Sequence, residues 1–260
     1  ADPFAVAADT NIEKLTLRLT DKDHTSKLTS LDFTGLSSLD LLGGAEDTKF
    51  EISSPLGATL KNLNAEDVKS DVTLNSSLSI LAKSVKLGPS DDILNLGNAL
   101  IASPLSDTIS GGEGMDTLKI SFTGEITTNP TISSFERFEV SFNGATTLSL
   151  SSVSDLEEMI ILSSTAAVSI DEIPFDMTKF AISGTQAGDW KINYQENSSA
   201  TPDLRWSNNT GGDVTVTSTK FDEIKHLTIT SDGSNNIIVG GLTVDPDDTT
   251  AISLTNTGDG

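Results

Sequence analysis

The chain has 260 residues, with 38 acidic and 16 basic side chains, a net charge of −22 and no cysteine. The charge excludes a nucleic-acid partner, because phosphate binding needs clustered lysine and arginine, and the absence of cysteine excludes disulfides, thiol nucleophiles, iron–sulfur clusters and thiolate zinc sites. Two histidines leave little for transition metals, and no apolar run reaches the about 18 residues of a membrane-spanning helix, so we expect any inorganic partner to be a hard cation bound by oxygen.

The two ends of the chain differ from the rest. Ala1–Thr10 contains proline, alanine and aspartate without the alternation of a strand, and it lacks the basic start and long apolar stretch of a signal peptide. We expect it to be a linker or a remnant of cloning. Thr255–Gly260 is typical of a turn, and we expect the chain to be a fragment of a longer protein.

From residue 11 onward the sequence predicts β-strands. Short runs alternate apolar residues with serine and threonine, which gives a strand one buried and one solvated face. Glycine, asparagine and aspartate separate these runs, as turn residues do. The clearest runs are Leu15–Leu19, Leu118–Phe122, Val214–Val216 and Leu227–Ile229. The pattern leaves room for short helical turns only near residues 64–70 and 154–159.

A weak internal repeat predicts the architecture. Four segments place an apolar residue and then an acid directly before a strand: Ile12–Leu17, Phe135–Val140, Leu156–Ile161 and Phe221–Leu227. Three of them are followed by a second short strand: Ala145–Leu150, Ala166–Ile170 and Asn236–Val239. Units of one or two strands and a turn are what a β-solenoid stacks. We therefore predict an all-β chain whose residues 11–260 form a parallel β-helix or β-solenoid, with a β-sandwich as the alternative.

The most specific motif lies within residues 107–118. Gly111–Leu118 fits the calcium-binding nonapeptide G-G-x-G-x-D-x-U-x, with Leu118 as the apolar residue. Its glycines allow a tight turn that directs carbonyl oxygens at a cation, and Asp116 would add a carboxylate. Asp107 lies nine residues before Asp116 and repeats the Asp-Thr-apolar part without glycines.

Further copies of the motif are degenerate. Gly88–Leu94 places Asp92, beside Asp91, in the aspartate position, and Gly43–Asp47 is a weaker echo. We therefore predict a calcium-binding turn region at residues 88–120, with these metal ligands: Gly111, Gly112, Gly114, Asp116, Asp107, Asp92 and Asp91. The alternative is an ordinary tight turn in which Asp116 accepts backbone hydrogen bonds.

These residues resemble a known family. Ser106–Leu118, followed after a spacer by Ile132–Val140, is similar to bacterial surface-layer proteins of the RTX (repeats-in-toxin) type. In that family a glycine-rich calcium turn precedes a strand of the form (I)SG(I/F)ET(L/M)x(V/L) and then a Ser/Thr-rich strand. Arg137 stands here in place of the usual threonine. The resemblance is closest over residues 85–170, and elsewhere it rests on composition and on the acid-then-strand pattern.

The resemblance implies a calcium-stabilised β-solenoid, type I export directed by a C-terminal signal, and assembly into a two-dimensional lattice on the cell surface. We therefore expect a secreted structural protein whose cofactor is Ca²⁺ and whose partners are copies of itself and a cell-surface polysaccharide. The alternative is an adhesin or carbohydrate-binding segment of a large RTX protein, in which Trp190 and Trp206 would form a stacking platform for sugars.

We expect no enzymatic activity and predict no catalytic residue. The acidic pairs are adjacent in sequence, and adjacent residues on a strand point to opposite faces. These pairs are Asp171/Glu172, Glu157/Glu158, Asp222/Glu223 and Asp247/Asp248. Of the histidines, His24 belongs to a charged loop and His226 to an alternating strand, so neither is expected to act as a catalytic base.

Overall fold

The computed structural model describes residues 12–20, 25–31, 33–54, 56, 59–75, 84–97, 107–124, 130–174, 177 and 179–181, and the backbone alone of residues 4–6 and of the strands beyond residue 181. The described residues form strands and turns and include no helix, so none of them belongs to a helix long and apolar enough to cross a membrane. The chain divides into two compact units, Ala1–Ile120 with Thr127–Glu136 and Ser121–Ile126 with Arg137–Gly260.

The strands are short and follow one another through the whole chain. The strands up to residue 133 are β1 (Phe4–Val6), β2 (Lys14–Leu19), β3 (Ser26–Leu31), β4 (Ser38–Gly43), β5 (Lys49–Ile52), β6 (Asn62–Asn64), β7 (Asp71–Asn75), β8 (Ser84–Lys86), β9 (Ile93–Gly97), β10 (Thr108–Ser110), β11 (Thr117–Phe122) and β12 (Thr131–Ser133). The remaining strands are β13 (Arg137–Phe142), β14 (Thr146–Ser149), β15 (Glu158–Ser164), β16 (Val168–Ile173), β17 (Lys179–Ser183), β18 (Asp189–Tyr194), β19 (Asp203–Ser207), β20 (Val214–Phe221), β21 (His226–Ser231), β22 (Ile237–Val239), β23 (Leu242–Val244) and β24 (Ala251–Asn256).

In the first unit the chain alternates between two sheets. Strands β2, β4, β6, β8, β10 and β12 form one sheet, and β1, β3, β5, β7, β9 and β11 lie in the other. The described pairings in both sheets are parallel. Each coil of the chain therefore adds one strand to each sheet, which is the architecture of a β-solenoid. The predicted parallel β-solenoid is confirmed, and the antiparallel β-sandwich alternative is wrong.

The second unit follows the same rule. Strands β13, β15, β17, β19, β21 and β24 lie in one sheet, and β14, β16, β18, β20 and β22 lie in another, with β23 also paired to β20. The described pairings here are parallel as well. The four runs predicted as strands fall in β2, β11, β20 and β21, and neither place considered for a helical turn is helical.

The core consists of columns of apolar residues in register. The inward positions of one sheet form the column Leu15, Leu39, Leu63, Val85, Ile109 and Ile132. From Leu39 to Ile132 these side chains are at most 5% exposed. Burial of one such side chain contributes about 1.5–3 kcal/mol, so the alternation within each strand provides the driving force for stacking coils.

Two further details of the fold are a strand close to the N-terminus and the length of a coil. Residues Phe4–Val6, inside the segment expected to be a linker, form β1 and pair with β3. Hydrogen bonds between neighbouring coils join residues 20 to 25 positions apart. Such a coil is longer than two nonapeptides, because each coil carries two strands, a turn and a longer connection.

Candidate metal centre and the carboxylate column

The glycine-rich motif forms a turn that is held between two other turns. Residues 111–116 connect β10 to β11, and they lie between residues 87–92 of the preceding coil and residues 134–136 of the following one. Glu113 N donates to Gly88 O at 3.2 Å, and Gly111 N donates to Ser133 O at 3.0 Å. Main-chain hydrogen bonds thus stack this turn on both neighbours.

The glycines of the motif are required by this close stacking. Gly112 and Gly114 have φ of +111° and +119°, which residues with a side chain rarely adopt. A Cβ on Gly112 would overlap the carbonyl oxygen of Gly88, and one on Gly111 would overlap that of Ser134. Neighbouring coils approach so closely at this turn that they exclude any side chain at these positions.

Three acids that directly precede strands β9, β11 and β13 bind the main chain of a neighbouring coil. We name Asp92, Asp116 and Glu136 the carboxylate column. Each of its members accepts a hydrogen bond from a backbone N–H one coil earlier. The donors are Val72 N to Asp92 Oδ1, Asp92 N to Asp116 Oδ1 and Asp116 N to Glu136 Oε2, each at 2.7 Å. The acid-then-strand pattern of the sequence is therefore, at these coils, a pattern of main-chain caps.

Asp92 and Asp116 differ in their second carboxylate oxygen. Asp92 Oδ2 accepts a hydrogen bond from Gly88 N at 3.0 Å, so main-chain donors bind both of its oxygens. Asp116 Oδ2 is buried and has no hydrogen-bond donor among the described residues. The residue as a whole is 0% exposed. Burying an ionised oxygen without a partner is costly, so Asp116 needs either a proton or a cation.

The surroundings of Asp116 and Asp92 favour the protonated form of these two carboxyls, because they raise the pKa of each. Burial raises the pKa of Asp116 to about 8, against the hydrogen bond from Asp92 N and with the help of the charges of Asp92, Glu136 and Asp91. Burial also raises the pKa of Asp92 to about 7, although hydrogen bonds from Val72 N and Gly88 N oppose the rise. Near neutral pH Asp116 therefore carries a proton unless a cation replaces it.

The other two predicted acidic ligands, Asp91 and Asp107, lie outside the carboxylate column. Asp91 is exposed, and its Oδ1 accepts a hydrogen bond from Met115 N at 2.8 Å. Asp107 is buried and precedes β10, in the same coil as Asp116. The nine-residue echo between Asp107 and Asp116 is thus not a coil-to-coil spacing, because Thr108 stacks on Ser84 and Thr131 instead.

The chemistry of a cation at this turn follows from the donors that are present. The described residues contain no group of three or more His, Asp or Glu side chains placed to hold a metal. A cation would therefore combine Asp116 Oδ2 with main-chain carbonyls of the glycine turn, a ligand set that Ca²⁺ accepts. Asp116 and the motif glycines fit this role. Asp92 differs from Asp116 in that each of its carboxylate oxygens already accepts one backbone hydrogen bond.

The weaker echo at Gly43–Asp47 carries hydroxyls where the column carries acids. Thr48 Oγ1 and Ser70 Oγ are 2.6 Å apart, and both also reach Ala45 O. Both residues are buried. These coils are joined by a neutral hydrogen-bonded pair, so this echo offers no carboxylate to a cation at the position of the column.

The strands that contain the tryptophans considered for sugar binding pair with neighbouring strands, and each tryptophan is in register with an apolar residue. Trp190 is in register with Val168, which is 2% exposed. Trp206 is in register with Ile182, and Ile182 with Ile161, which is 0% exposed. The two residues also belong to different sheets. This placement gives no support to a shared stacking platform.

The acidic pairs and histidines fall at scattered positions. Glu157 is exposed, whereas Glu158 Oε2 lies 3.6 Å from Arg137 Nε. Asp171 accepts a hydrogen bond from Ser169 Oγ at 3.1 Å. His226 begins β21. His24, Asp222/Glu223 and Asp247/Asp248 lie outside the described residues.

The position at which the sequence departs from the family pattern has a structural role. Arg137 Nε lies 3.5 Å from Glu139 Oε1 and 3.6 Å from Glu158 Oε2, which is the in-register residue of the next strand. The arginine therefore links two coils, which a threonine could not do.

Comparison of the chain with protein-family models, with curated proteins and with solved structures returns no match.

Proposed function

We propose that the chain is a structural segment of a secreted, calcium-dependent surface-layer protein that assembles with copies of itself on a bacterial cell, with a cell-surface polysaccharide as its anchor. The observation that carries the calcium part is the buried Asp116 Oδ2, which has no donor and lies in a glycine turn held between two coils. The sequence resemblance of the same turn to the RTX family supports the surface-layer part.

The residues of the turn have distinct roles in this proposal. Gly111, Gly112 and Gly114 let the coils approach and present their carbonyl oxygens, while Asp116 offers its free carboxylate oxygen. Asp92 and Glu136 hold the neighbouring strand starts through main-chain hydrogen bonds. Bound calcium would supply the positive charge that lets Asp116 stay ionised in its buried position. Because the role is structural, the proposal includes no catalytic step.

Thermal unfolding in millimolar calcium and in excess chelator tests the calcium part. A cation that binds only the folded chain adds about 2.7 kcal/mol at a concentration of 100 times its Kd, which raises the Tm by about 5–10 °C for a domain of 150–250 residues. The D116N variant should lose this rise. Glu113→Gln changes an exposed acid of the same turn and should keep it. Coincident melting of the wild-type chain in calcium and in chelator would contradict the proposal.

A further inference from the structure

One corner of the second unit carries an exposed asparagine followed by glycine. Asn143 and Gly144 lie in the short connection between β13 and β14, and we name these two residues the Asn-Gly corner. Asn143 N donates to Phe122 O of the preceding coil at 2.6 Å. In the following coil Thr165 N donates to Phe142 O at 2.9 Å. Thr165 therefore holds in the next coil the place that Asn143 holds in this one.

Two groups that can react with each other at this corner have no hydrogen-bond partner among the described residues. Gly144 N lies outside the strand ladders and donates to no described acceptor, whereas Gly144 O accepts a hydrogen bond from Thr146 Oγ1 at 3.0 Å. The side chain of Asn143 is exposed. Because glycine has no side chain, its main-chain nitrogen can approach Cγ of Asn143 without a steric barrier.

The other asparagines whose side chains the structure describes lack this combination. Leucine follows Asn62 and Asn95, alanine follows Asn64, and serine follows Asn75. A side chain on the following residue hinders the approach of the main-chain nitrogen to the asparagine. The side-chain oxygen of Asn64 also accepts a hydrogen bond from Glu66 N at 3.3 Å. The Asn-Gly corner contains the only Asn-Gly pair in the sequence, so its chemistry differs from that of the other asparagines.

We infer that Asn143 is a site of spontaneous deamidation. Gly144 N attacks Cγ of Asn143 and forms an N–Cγ bond, while Nδ2 leaves as ammonia with the proton of the attacking amide. Water then opens the cyclic succinimide at one of its two carbonyl carbons. Opening at Cγ gives aspartate, and opening at the main-chain carbonyl carbon gives isoaspartate. The net reaction consumes water, releases ammonia and adds a negative charge to the chain.

The two products affect the stacking of the coils differently. In isoaspartate the main chain runs through Cβ and Cγ and gains an atom. The corner has little room for it, because a Cβ on Gly144 would already lie 2.9 Å from Thr123 O of the preceding coil. In aspartate the main chain is unaltered, and the change is confined to an exposed side chain. We therefore expect isoaspartate, and not aspartate, to destabilise the folded chain.

Incubation of the full chain at mildly alkaline pH over weeks, followed by trypsin digestion and mass spectrometry, tests the site. Trypsin releases residues 138–179, in which Asn143 is the only amide side chain, and residues 62–69, which contain Asn62 and Asn64. We expect peptide 138–179 to convert into two products of equal mass that separate by chromatography, while peptide 62–69 stays unchanged. The inference is wrong if peptide 138–179 converts no faster than peptide 62–69.

The Gly144→Ala variant tests the attacking nitrogen. Ala166 occupies the same place in the next coil, since Thr146 is in register with Val168, so the corner accepts alanine in this solenoid. The added methyl group hinders the attack on Asn143, and we expect the conversion of peptide 138–179 to be lost. Conversion as fast as in the wild-type chain would show that Gly144 N is not the nucleophile and would overturn the inference.

Thermal unfolding of aged chains tests the consequence for stacking. The isoaspartate fraction of the aged wild-type chain should have a lower Tm than the fresh chain. Asn143→Asp carries the same charge on an unaltered main chain and should melt as the fresh wild-type chain does. Asn143→Thr, which has the residue of the next coil, should keep its Tm on ageing. If the isoaspartate fraction melts together with Asn143→Asp, the proposed effect on stacking is wrong.

Discussion

At the scale of the residue, the carboxylates of Asp92 and Asp116 differ in the hydrogen bonds that they accept. Asp92 and Asp116 occupy equivalent places in successive coils and each accepts a backbone N–H at 2.7 Å. One additional hydrogen bond, from Gly88 N to Asp92 Oδ2, separates them. Asp116 Oδ2 has no such hydrogen bond among the described residues, and it is the oxygen that the proposed calcium ion would bind.

The unmatched oxygen predicts how the chain responds to pH in chelator. The pKa of Asp116 rises from 3.8 to about 8 in the folded chain because of burial. The folded chain therefore binds this proton more tightly than the unfolded chain does. The resulting stability is complete below about pH 4 and is lost as the pH rises through about 8. Urea unfolding in chelator should give a lower free energy of unfolding at pH 9 than at pH 5.

The D116N variant separates this effect from other titrating groups. Asparagine keeps an oxygen for Asp92 N but carries no charge at any pH, so its unfolding free energy should decline less between pH 5 and pH 9. Asp67→Asn changes an exposed acid and should leave the wild-type dependence intact. Equal slopes for the wild-type chain and D116N would show that Asp116 does not hold the proton.

At the scale of the element, the strands are short, and hydrogen bonds between coils join the residues at which several of them start. Strand β9 begins directly after Asp92 and β11 directly after Asp116. The acid before each strand binds the main chain one coil earlier, while the strand itself pairs through its own ladder. Removal of Asp92 should consequently affect the preceding coil through Val72 N and its own coil through Gly88 N.

Amide hydrogen exchange of Asp92→Ala tests this capping role. The substitution removes the acceptors of Val72 N and Gly88 N, and each buried donor left unsatisfied costs about 1–3 kcal/mol. We expect faster exchange at these two amides and little change at the amide of residue 92, whose acceptor is Asp116. Asp67→Ala serves as the control on an exposed acid. Unchanged exchange at Val72 and Gly88 would contradict the capping role.

At the scale of the whole molecule, alternation and turn residues predicted an all-β chain, and the internal repeat favoured a solenoid over a β-sandwich. Period-two burial and short Ser/Thr-rich strands constrain the sheets strongly, since a shift by one residue would expose the apolar column. Coil length was harder to predict. The nine-residue echo between Asp107 and Asp116 is not the spacing between coils, because Asp116 stacks on Asp92, 24 residues away. Spacing in sequence does not specify which turns meet when each coil also contains a connection of variable length.

The site could be predicted only in part, for a related reason. Asp116 and the motif glycines were identifiable because their residue types limit what the backbone can do. The difference between Asp92 and Asp116 depends on one hydrogen bond from Gly88 N, which no local pattern specifies. Likewise, the sequence shows Arg137 in place of the usual threonine, but the pairing of Arg137 with Glu158 depends on which strand lies next to β13.

The proposed surface-layer role makes a prediction for the assembled protein. Negative-stain electron microscopy of the chain on a lipid or polysaccharide support should show ordered two-dimensional arrays in calcium and dispersed particles in chelator. Neutralising acids with a cation reduces the mutual repulsion that a net charge of −22 imposes on neighbouring copies. Magnesium at the same concentration is the control for simple charge screening. Identical images in calcium and chelator would exclude a calcium-dependent lattice.

The direction of the carboxylate column has a consequence for how the solenoid grows. Val72 N is capped by Asp92, Asp92 N by Asp116, and Asp116 N by Glu136, so each cap is synthesised after the group that it satisfies. A chain that folds from its N-terminal end therefore always has an unfinished last layer, which only the next layer can seal. Within the column, each added layer supplies the acceptor for a main-chain N–H of the preceding layer. The same layer brings a new N–H whose acceptor lies in the following layer.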